Sequence, residues 1–313
     1  MTGSRAIGVE HDYWGRMRTY VCEMYPPLAH LLFAILLFVD LDWLVRRTEF
    51  STAPTRYWLS GAGICSVFVI GLLTRLMDEL KDEAIDRRMF PHRPLPSGRV
   101  RRSDIERSII VLVALYAGLN LGAGEARWGA AAVLVCLLLS NRHFFMRERL
   151  ERSVTLTLLT HGPIAFIALC SFAALALEES GRPWGLIDVH APVLPASMFW
   201  TMLEGYEVAR KIRAPSEETP YDTYSKVWGP GTAVLVAGAL QTWTLGAGLY
   251  MSWRLALPLL FPSVLLAAYG VLLFGYCRFL LTLTPKCSRL DGYSQSYAMS
   301  ILVALCAVQV LRP

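Results

Sequence analysis

The sequence predicts an all-α integral membrane protein with nine transmembrane helices. Of its 313 residues, 54% are hydrophobic and only 18% charged, and mean hydropathy is +0.41. A soluble domain is nearer about 45–50% apolar and about 25% charged. The apolar residues fall in runs long enough to cross a hydrocarbon core, which takes about 20 residues of helix. The basic residues gather between those runs on alternate sides. This composition excludes an ordinary soluble enzyme, a disordered chain and a nucleic-acid binder. Seven cysteines without paired spacing exclude a disulfide scaffold and a zinc ribbon.

Residues 1–24 form a cytoplasmic N-terminal segment, too polar for a signal peptide. Its proline-free stretch from Tyr13 to Tyr25 reads either as a short interfacial helix, with Tyr13, Trp14, Met17 and Tyr20 on one apolar face, or as a loosely ordered tail. Residues 25–313 then make one nine-helix domain. Its apolar windows lie near 26–45, 57–80, 104–124, 127–146, 153–178, 192–210, 231–252, 255–280 and 294–311.

Loop charges set the orientation. With a cytoplasmic N-terminus, one side holds Arg5, Arg16 and Arg18, then Lys81, Arg87, Arg88, Arg93, Arg99, Arg101 and Arg102. It also holds Arg142, Arg147, Arg149 and Arg152, then Arg210, Lys211, Arg213 and Lys226, and last Arg278, Lys286 and Arg289. The far side holds Arg46, Arg47, Arg56, Arg127, Arg182, Arg254 and Arg312, a split of 21 to seven. Asp40 and Asp42 are expected at the membrane interface on that far side. The longest loops, 81–103 and 211–230, both face the cytoplasm and carry the unusual residues.

At the cytoplasmic end of the second span the chain reads Asp78-Glu79-Leu80-Lys81-Asp82-Glu83-Ala84-Ile85-Asp86. A spacing of four puts Asp78, Asp82 and Asp86 on one helix face, with Glu79 beside them. Adjacent carboxylates repel one another, and a divalent cation relieves that repulsion. Magnesium suits the row, because it is held by a few carboxylates and completed by phosphate oxygens. The plain alternative is a salt-bridged helix end, with Lys81, Arg87 and Arg88 as partners. A basic loop follows at once, from Arg87 to Gly98. Its three prolines and glycine fix its path, and its arginines suit bidentate contact with phosphate.

Here the chain resembles the UbiA superfamily of intramembrane prenyltransferases. That family carries Asn-Asp-x-x-Asp-x-x-x-Asp followed by an Arg-Pro-Leu-x-x-Gly segment. The matching residues are Asp78, Glu79, Asp82 and Asp86, then Arg93-Pro94-Leu95-Pro96-Ser97-Gly98. Asp78 stands where the family usually has Asn, and Glu79 where it usually has Asp; both keep an oxygen donor. CDP-alcohol phosphotransferases also end a helix motif in Asp-x-x-x-Asp, but they need Gly where Asp78 stands and an upstream Asp-Gly-x-x-Ala-Arg that is missing.

The resemblance implies a bundle around a central cavity and a second acidic motif after the sixth span. Glu204 and Glu207 occupy that place, with Lys211 and Arg213 beyond them, and Gly229-Pro230-Gly231-Thr232, preceded by Asp222 and Lys226, looks like the family's helix restart. The acids are glutamates interleaved with basic residues, so an internal Glu207–Lys211 pair at i,i+4 is the alternative to a metal. Asn141-Arg142-His143-Phe144-Phe145-Met146-Arg147 resembles the family's aromatic-then-basic segment. His161, beside Gly162-Pro163, reads as a hydrogen-bonding residue within the fifth span.

On this resemblance Asp78, Glu79, Asp82, Asp86, Glu204 and Glu207 would ligate Mg2+, with Asp78, Asp82, Asp86 and Glu207 catalytic. Arg88, Arg93, Arg147 and Lys211 would bind the diphosphate. The substrate would be an isoprenyl diphosphate, drawn from the lipid bilayer, and the prenyl group would pass to an aromatic or other lipophilic acceptor. A UbiA-type terpene cyclase, which needs no acceptor, is the alternative. A transporter is the remote one, since it predicts ionisable residues near the midplane and matching halves.

Overall fold

The computed structural model describes residues 12–49, 57–180, 190–219 and 223–311. Arg5, Arg56, Arg182, Asp222 and Arg312 lie outside the described residues. The described residues form twelve α-helices and no strand. They group into two compact units. One gathers residues up to Ala34 with Cys65–Leu119, the other Ile35–Ile64 with residues from Asn120 onward.

The first unit is built on α1 (Tyr13–Met24), the start of α2 (Pro27–Thr48), the later part of α3 (Tyr57–Met89) and α4 (Arg102–Asn120). Asp12 caps α1 by accepting from the Gly15 N–H at 2.9 Å. The helix stands within a residue of the predicted one, but its apolar face differs. Tyr13, Met17 and Tyr20 turn inward, whereas Trp14 is 74% exposed. At 100° per residue Trp14 sits a quarter turn from the face the other three share.

Met17 and Tyr20 pack with Leu72 and Leu76 of α3, Leu95 and Val100 of the following loop, and Ile105 of α4. Polar clasps border this cluster. Arg16 grips Asp104 through two bonds of 2.7 and 2.9 Å. Tyr13 Oη meets Ser108 Oγ at 2.9 Å, and Arg99 forms an ion pair with Glu23. Asp104 also accepts from the Arg101 N–H at 3.0 Å, which caps the first turn of α4.

The second unit contains α5 (Arg127–Asn141), α6 (Arg147–Glu151), α7 (Val154–Ser180), α8 (His190–Arg210), α9 (Tyr224–Trp228), α10 (Pro230–Arg254), α11 (Leu260–Thr282) and α12 (Leu290–Leu311). Helix α8 lies against α7, α10 and α12, and α11 pairs with α12. Small residues permit the close crossings, as apolar lipid-facing helices require. A Cβ at Gly205 would strike Gln241, and one at Gly129 would press on the Ser171 backbone at 3.2 Å. Asp40, expected at the membrane interface, is wholly buried within the second unit and accepts from Gln309 Nε2 at 2.6 Å and from Cys306 Sγ at 3.4 Å.

Nine helices of at least 15 residues fall on the nine apolar windows among the described residues. Six of them are long and apolar enough to cross a membrane: those in α2, α3, α7, α10, α11 and α12. The other three fall short of that measure. Helix α4 opens on charged residues, α5 has 15 residues and spans about 22 Å, and α8 carries Glu204, Glu207 and Arg210.

Candidate active site

The second apolar window continues as helix well past its predicted end near residue 80. Helix α3 runs unbroken to Met89, so the acids at 78, 79, 82 and 86 are carried on one rigid element. Glu79 is only 1% exposed and forms an ion pair with Arg75, one helical turn earlier. Its second oxygen, Oε2, is buried with no hydrogen-bond partner. Asp78 contacts Lys81 at 3.5 Å, while Asp82 lies half-buried between Asp78 and Asp86. Arg75 lies inside the apolar window 57–80. Its i,i+4 relation to Glu79 was the signal that marks it as part of the acidic row.

Asp86 is buried and receives Arg93 Nη1 on Oδ2 at 2.7 Å. The Arg93 guanidinium also lies over the Phe90 ring, 4.0 Å from its centre. The loop that carries it is knitted by successive turns. Arg93 N–H donates to Phe90 O, Ser97 N–H to Arg93 O, Gly98 N–H to Leu95 O and Val100 N–H to Pro94 O, all at 3.0–3.1 Å. Gly98 takes φ 78°, a left-handed conformation that suits glycine at the close of the loop. Leu95 and Val100 anchor the loop in the first unit's core. Arg88 is exposed beside it, and Arg87 is held by Glu83 at 2.7 Å.

The predicted salt-bridged helix end is thus present at Glu83, which Arg87 and Arg102 both engage. The row at 78, 79, 82 and 86 is salt-bridged in part: Lys81 lies against Asp78, and arginines engage one oxygen of Glu79 and one of Asp86. A buried carboxylate oxygen left unpaired costs about 1–3 kcal/mol, so the orphaned Glu79 Oε2 calls for a donor or a cation. All available donors are hard oxygens, the set a divalent ion such as Mg2+ accepts. Among the described residues no three His, Cys, Asp or Glu side chains converge as a ready-made metal cage. That is compatible with a cation whose shell is completed by substrate oxygens and water.

One residue absent from the predicted site packs on the stretch of α3 just before this row, against Leu72 and Leu76. Tyr20 of α1 is fully buried, and its hydroxyl has no hydrogen-bond partner. Its pKa is held well above the ordinary phenol range, first by burial and then by the Glu79 charge, with Asp78 adding to it and Arg75 and Arg93 opposing it. No motif points to Tyr20; its periodicity marks only the inward face of α1.

In the second unit Glu207 has both oxygens engaged within its own helix. Arg210 donates to it at 2.5 and 2.9 Å, and Lys211 Nζ lies 3.0 Å from Oε1. The Glu207–Lys211 pair weighed against a metal is therefore present. Lys211 Nζ also lies 5.6 Å from the centre of the Tyr224 ring. Glu204 is buried and occupies the space that a side chain at Gly162 would need, with its carboxylate 3.2 Å from where that Cβ would stand. Trp200 Nε1 donates to Gly162 O at 2.9 Å at the same bend in α7, next to Pro163. His161 Nδ1 contacts Thr157 O at 3.0 Å within its own helix, and its ring meets Phe144 edge-on.

Arg147 opens α6 and is exposed. The turn before it is strained: His143, Phe144 and Phe145 have φ of 50°, 49° and 59°. Three successive non-glycine residues in the left-handed region cost about 1–2 kcal/mol each. Gly229, with φ 79°, caps α10 ahead of Pro230, as the expected helix restart requires. Glu218 pairs with Lys226 at 3.9 Å, and Glu217 accepts from Ser288 Oγ at 2.6 Å.

No protein-family model matches the chain, and no curated protein sequence matches it. Solved structures do. A structure of digeranylgeranylglyceryl phosphate synthase matches with TM-score 0.65 over 95% of this chain and 99% of that one, at 14% identity. The apo structure of a UbiA homologue from Aeropyrum pernix K1 matches with TM-score 0.66 over 90% and 98%, also at 14% identity. The chain is thus an all-helical, multi-pass membrane protein with the UbiA fold. That likeness supports the superfamily resemblance read from the acidic motif, at the level of the fold.

Proposed function

We propose that the chain is a UbiA-type, Mg2+-dependent membrane enzyme that ionises an isoprenyl diphosphate and transfers the prenyl group to a lipophilic acceptor. The observation that carries this reading is the acidic row on α3. It has an orphaned buried oxygen at Glu79, a half-buried Asp82 one turn from both Asp78 and Asp86, and Arg93 held against Asp86 by a loop of fixed path. The UbiA fold supports it, and so does the prenyl-diphosphate chemistry that such a fold is expected to host.

On this reading Asp78, Glu79, Asp82 and Asp86 would hold Mg2+, which would neutralise charge on the departing diphosphate. Arg93 stands ready on Asp86, and Arg88 and Arg147 present exposed guanidinium groups suited to bidentate phosphate contact. The bond from the allylic carbon to oxygen breaks, and pyrophosphate leaves with the electron pair. The acceptor's nucleophilic atom then bonds to the allylic carbon, and its proton passes to water. Glu204 and Glu207 would serve a second ion only after Arg210 and Lys211 let go of Glu207, and Lys211 would then be free for phosphate. The topology proposed with this activity is nine spans around a central cavity, with the N-terminus and active-site loops cytoplasmic.

That internal pairing of Glu207 also keeps the cyclase reading in play, since it marks the second motif as divergent. One experiment decides between them. Membranes bearing the protein are given geranyl, farnesyl or geranylgeranyl diphosphate with Mg2+ and no acceptor, and products are identified by mass spectrometry. Consumption that requires an added acceptor supports transfer. A cyclic hydrocarbon or alcohol formed without one overturns transfer in favour of cyclisation. Inertness toward all three diphosphates, with and without aromatic acceptors, overturns both.

A further inference from the structure

We infer that Arg99, oriented by Glu23 of the N-terminal helix α1, is a positioning residue for Arg93, its guanidinium clamping the backbone on both sides of the Arg93-Pro94 dipeptide. The inference rests on the reading of Arg93 as a diphosphate ligand.

One guanidinium makes four contacts here. Arg99 Nη2 donates to His92 O at 2.7 Å and to Glu23 Oε2 at 2.8 Å. Its Nη1 donates to Glu23 Oε1, and its Nε donates to Ser97 Oγ at 3.1 Å. The His92 carbonyl belongs to the peptide bond that leads into Arg93. Ser97 Oγ in turn donates to Pro94 O at 3.2 Å, so the same chain of bonds closes on the far side of the dipeptide. A guanidinium has five N–H donors, and four of them are engaged. Arg99 is thus committed to holding the loop, whereas Arg93 reaches the acidic row at Asp86.

The loop needs such a hold at one end. Its buried residues, Pro94, Leu95 and Val100, all follow Arg93, while Phe90, Pro91 and His92 before it are exposed. The Arg99–His92 bond tethers that exposed side. Glu23 takes the guanidinium with both oxygens, a paired geometry that fixes the guanidinium plane. Helix α1 is itself seated by Met17 and Tyr20 in the core and by Arg16 on Asp104. Its placement therefore passes through Glu23 and Arg99 to the backbone that carries Arg93. The Arg99 and Glu23 side chains are 44% and 42% exposed, and exposed pairs add little to stability. The effect of the clamp lies in placement.

The test uses Arg99→Lys, which keeps the charge and loses the planar, multiple contact. Calorimetry in detergent measures binding of inorganic pyrophosphate with Mg2+ to the wild type, Arg99→Lys, Arg93→Gln, their double variant and Glu23→Ala. Arg99→Lys and Arg93→Gln should each weaken binding about tenfold, the worth of one charge-assisted hydrogen bond. The double variant should bind no more weakly than Arg93→Gln alone, because Arg99 acts through Arg93. Glu23→Ala should weaken binding in the same direction. With a prenyl diphosphate, Arg99→Lys should raise KM and leave kcat unchanged. Unchanged pyrophosphate affinity in Arg99→Lys or Glu23→Ala, or losses that multiply in the double variant, would overturn the inference and leave the enzymatic reading standing. So would a lowered unfolding midpoint with affinity and KM unmoved, the mark of a merely structural pair. A wild type that binds no pyrophosphate and consumes no prenyl diphosphate removes the enzymatic reading and the inference with it.

Discussion

Replacing Arg16 by Leu should release α1 from the first unit. Asp104 has a side chain only 1% exposed, and Arg16 supplies two of its three hydrogen bonds. Breaking a buried pair by removing one partner costs about 3–5 kcal/mol, because a charge is left buried and unpaired. Two features lower that figure here. The Arg101 N–H still serves Asp104 Oδ2, and Arg16 itself is 13% exposed, so water reaches the gap. A cost of about 2–3 kcal/mol follows. Expressed as local opening, this is about a 30- to 150-fold rise in amide exchange along α1, at 1.4 kcal/mol per decade. Hydrogen-exchange mass spectrometry in detergent micelles reads it directly. Asp104→Leu combined with Arg16→Leu removes both charges and should recover most of the loss. The cap on Arg101 stays missing in that double variant, a residual of about 1 kcal/mol. Unchanged exchange in Arg16→Leu, or a double variant more open than the single one, would refute the reasoning.

Further predictions concern the site, the packing and pH. Asp82→Ala and Asp86→Ala should each lower turnover of a prenyl diphosphate by about 10²–10³-fold, measured as pyrophosphate release; undiminished release would sink the enzymatic reading. Gly63→Ala places a methyl inside the Phe38 ring and should cost about 1–3 kcal/mol, seen as a lower unfolding midpoint. Asp40→Asn keeps an oxygen for Gln309 and should be nearly neutral, whereas Asp40→Leu strands the Gln309 amide and should cost about 1–3 kcal/mol. The Arg99 guanidinium holds the Glu23 carboxyl below the usual carboxylate range. A lowered native pKa gives stability that is present above the ordinary carboxylate value and lost as pH falls through the lowered one. Exchange in α1, corrected for its intrinsic rate, should therefore rise as pH drops below about 4, and Glu23→Gln should reduce that dependence to the part supplied by Asp104, which Arg16 likewise holds low.

The sequence by itself determined the class of protein and the residues of the candidate site. Hydrocarbon tolerates no unpaired backbone, so each apolar run of some 20 residues had to be a helix, and the helices fall on those runs. Four-residue spacing sufficed to align Asp78, Asp82 and Asp86, because both ends of that relation lie on one helix. The same locality made the Glu207–Lys211 pair legible as an alternative.

Tertiary structure decided whatever depended on residues distant in sequence. Glu23 and Arg99, Arg16 and Asp104, and Asp40 and Gln309 meet only once helices pack. No local period encodes such meetings, since each depends on crossing geometry set by many small contacts. Trp14 was assigned to the wrong face because four aromatic and apolar residues in a row of eight leave the face ambiguous until a partner surface selects it. Tyr20 is the sharpest instance. Its neighbours in sequence say only that it faces inward, and its burial against Leu72 and Leu76, more than fifty positions away, is a property of the folded unit alone.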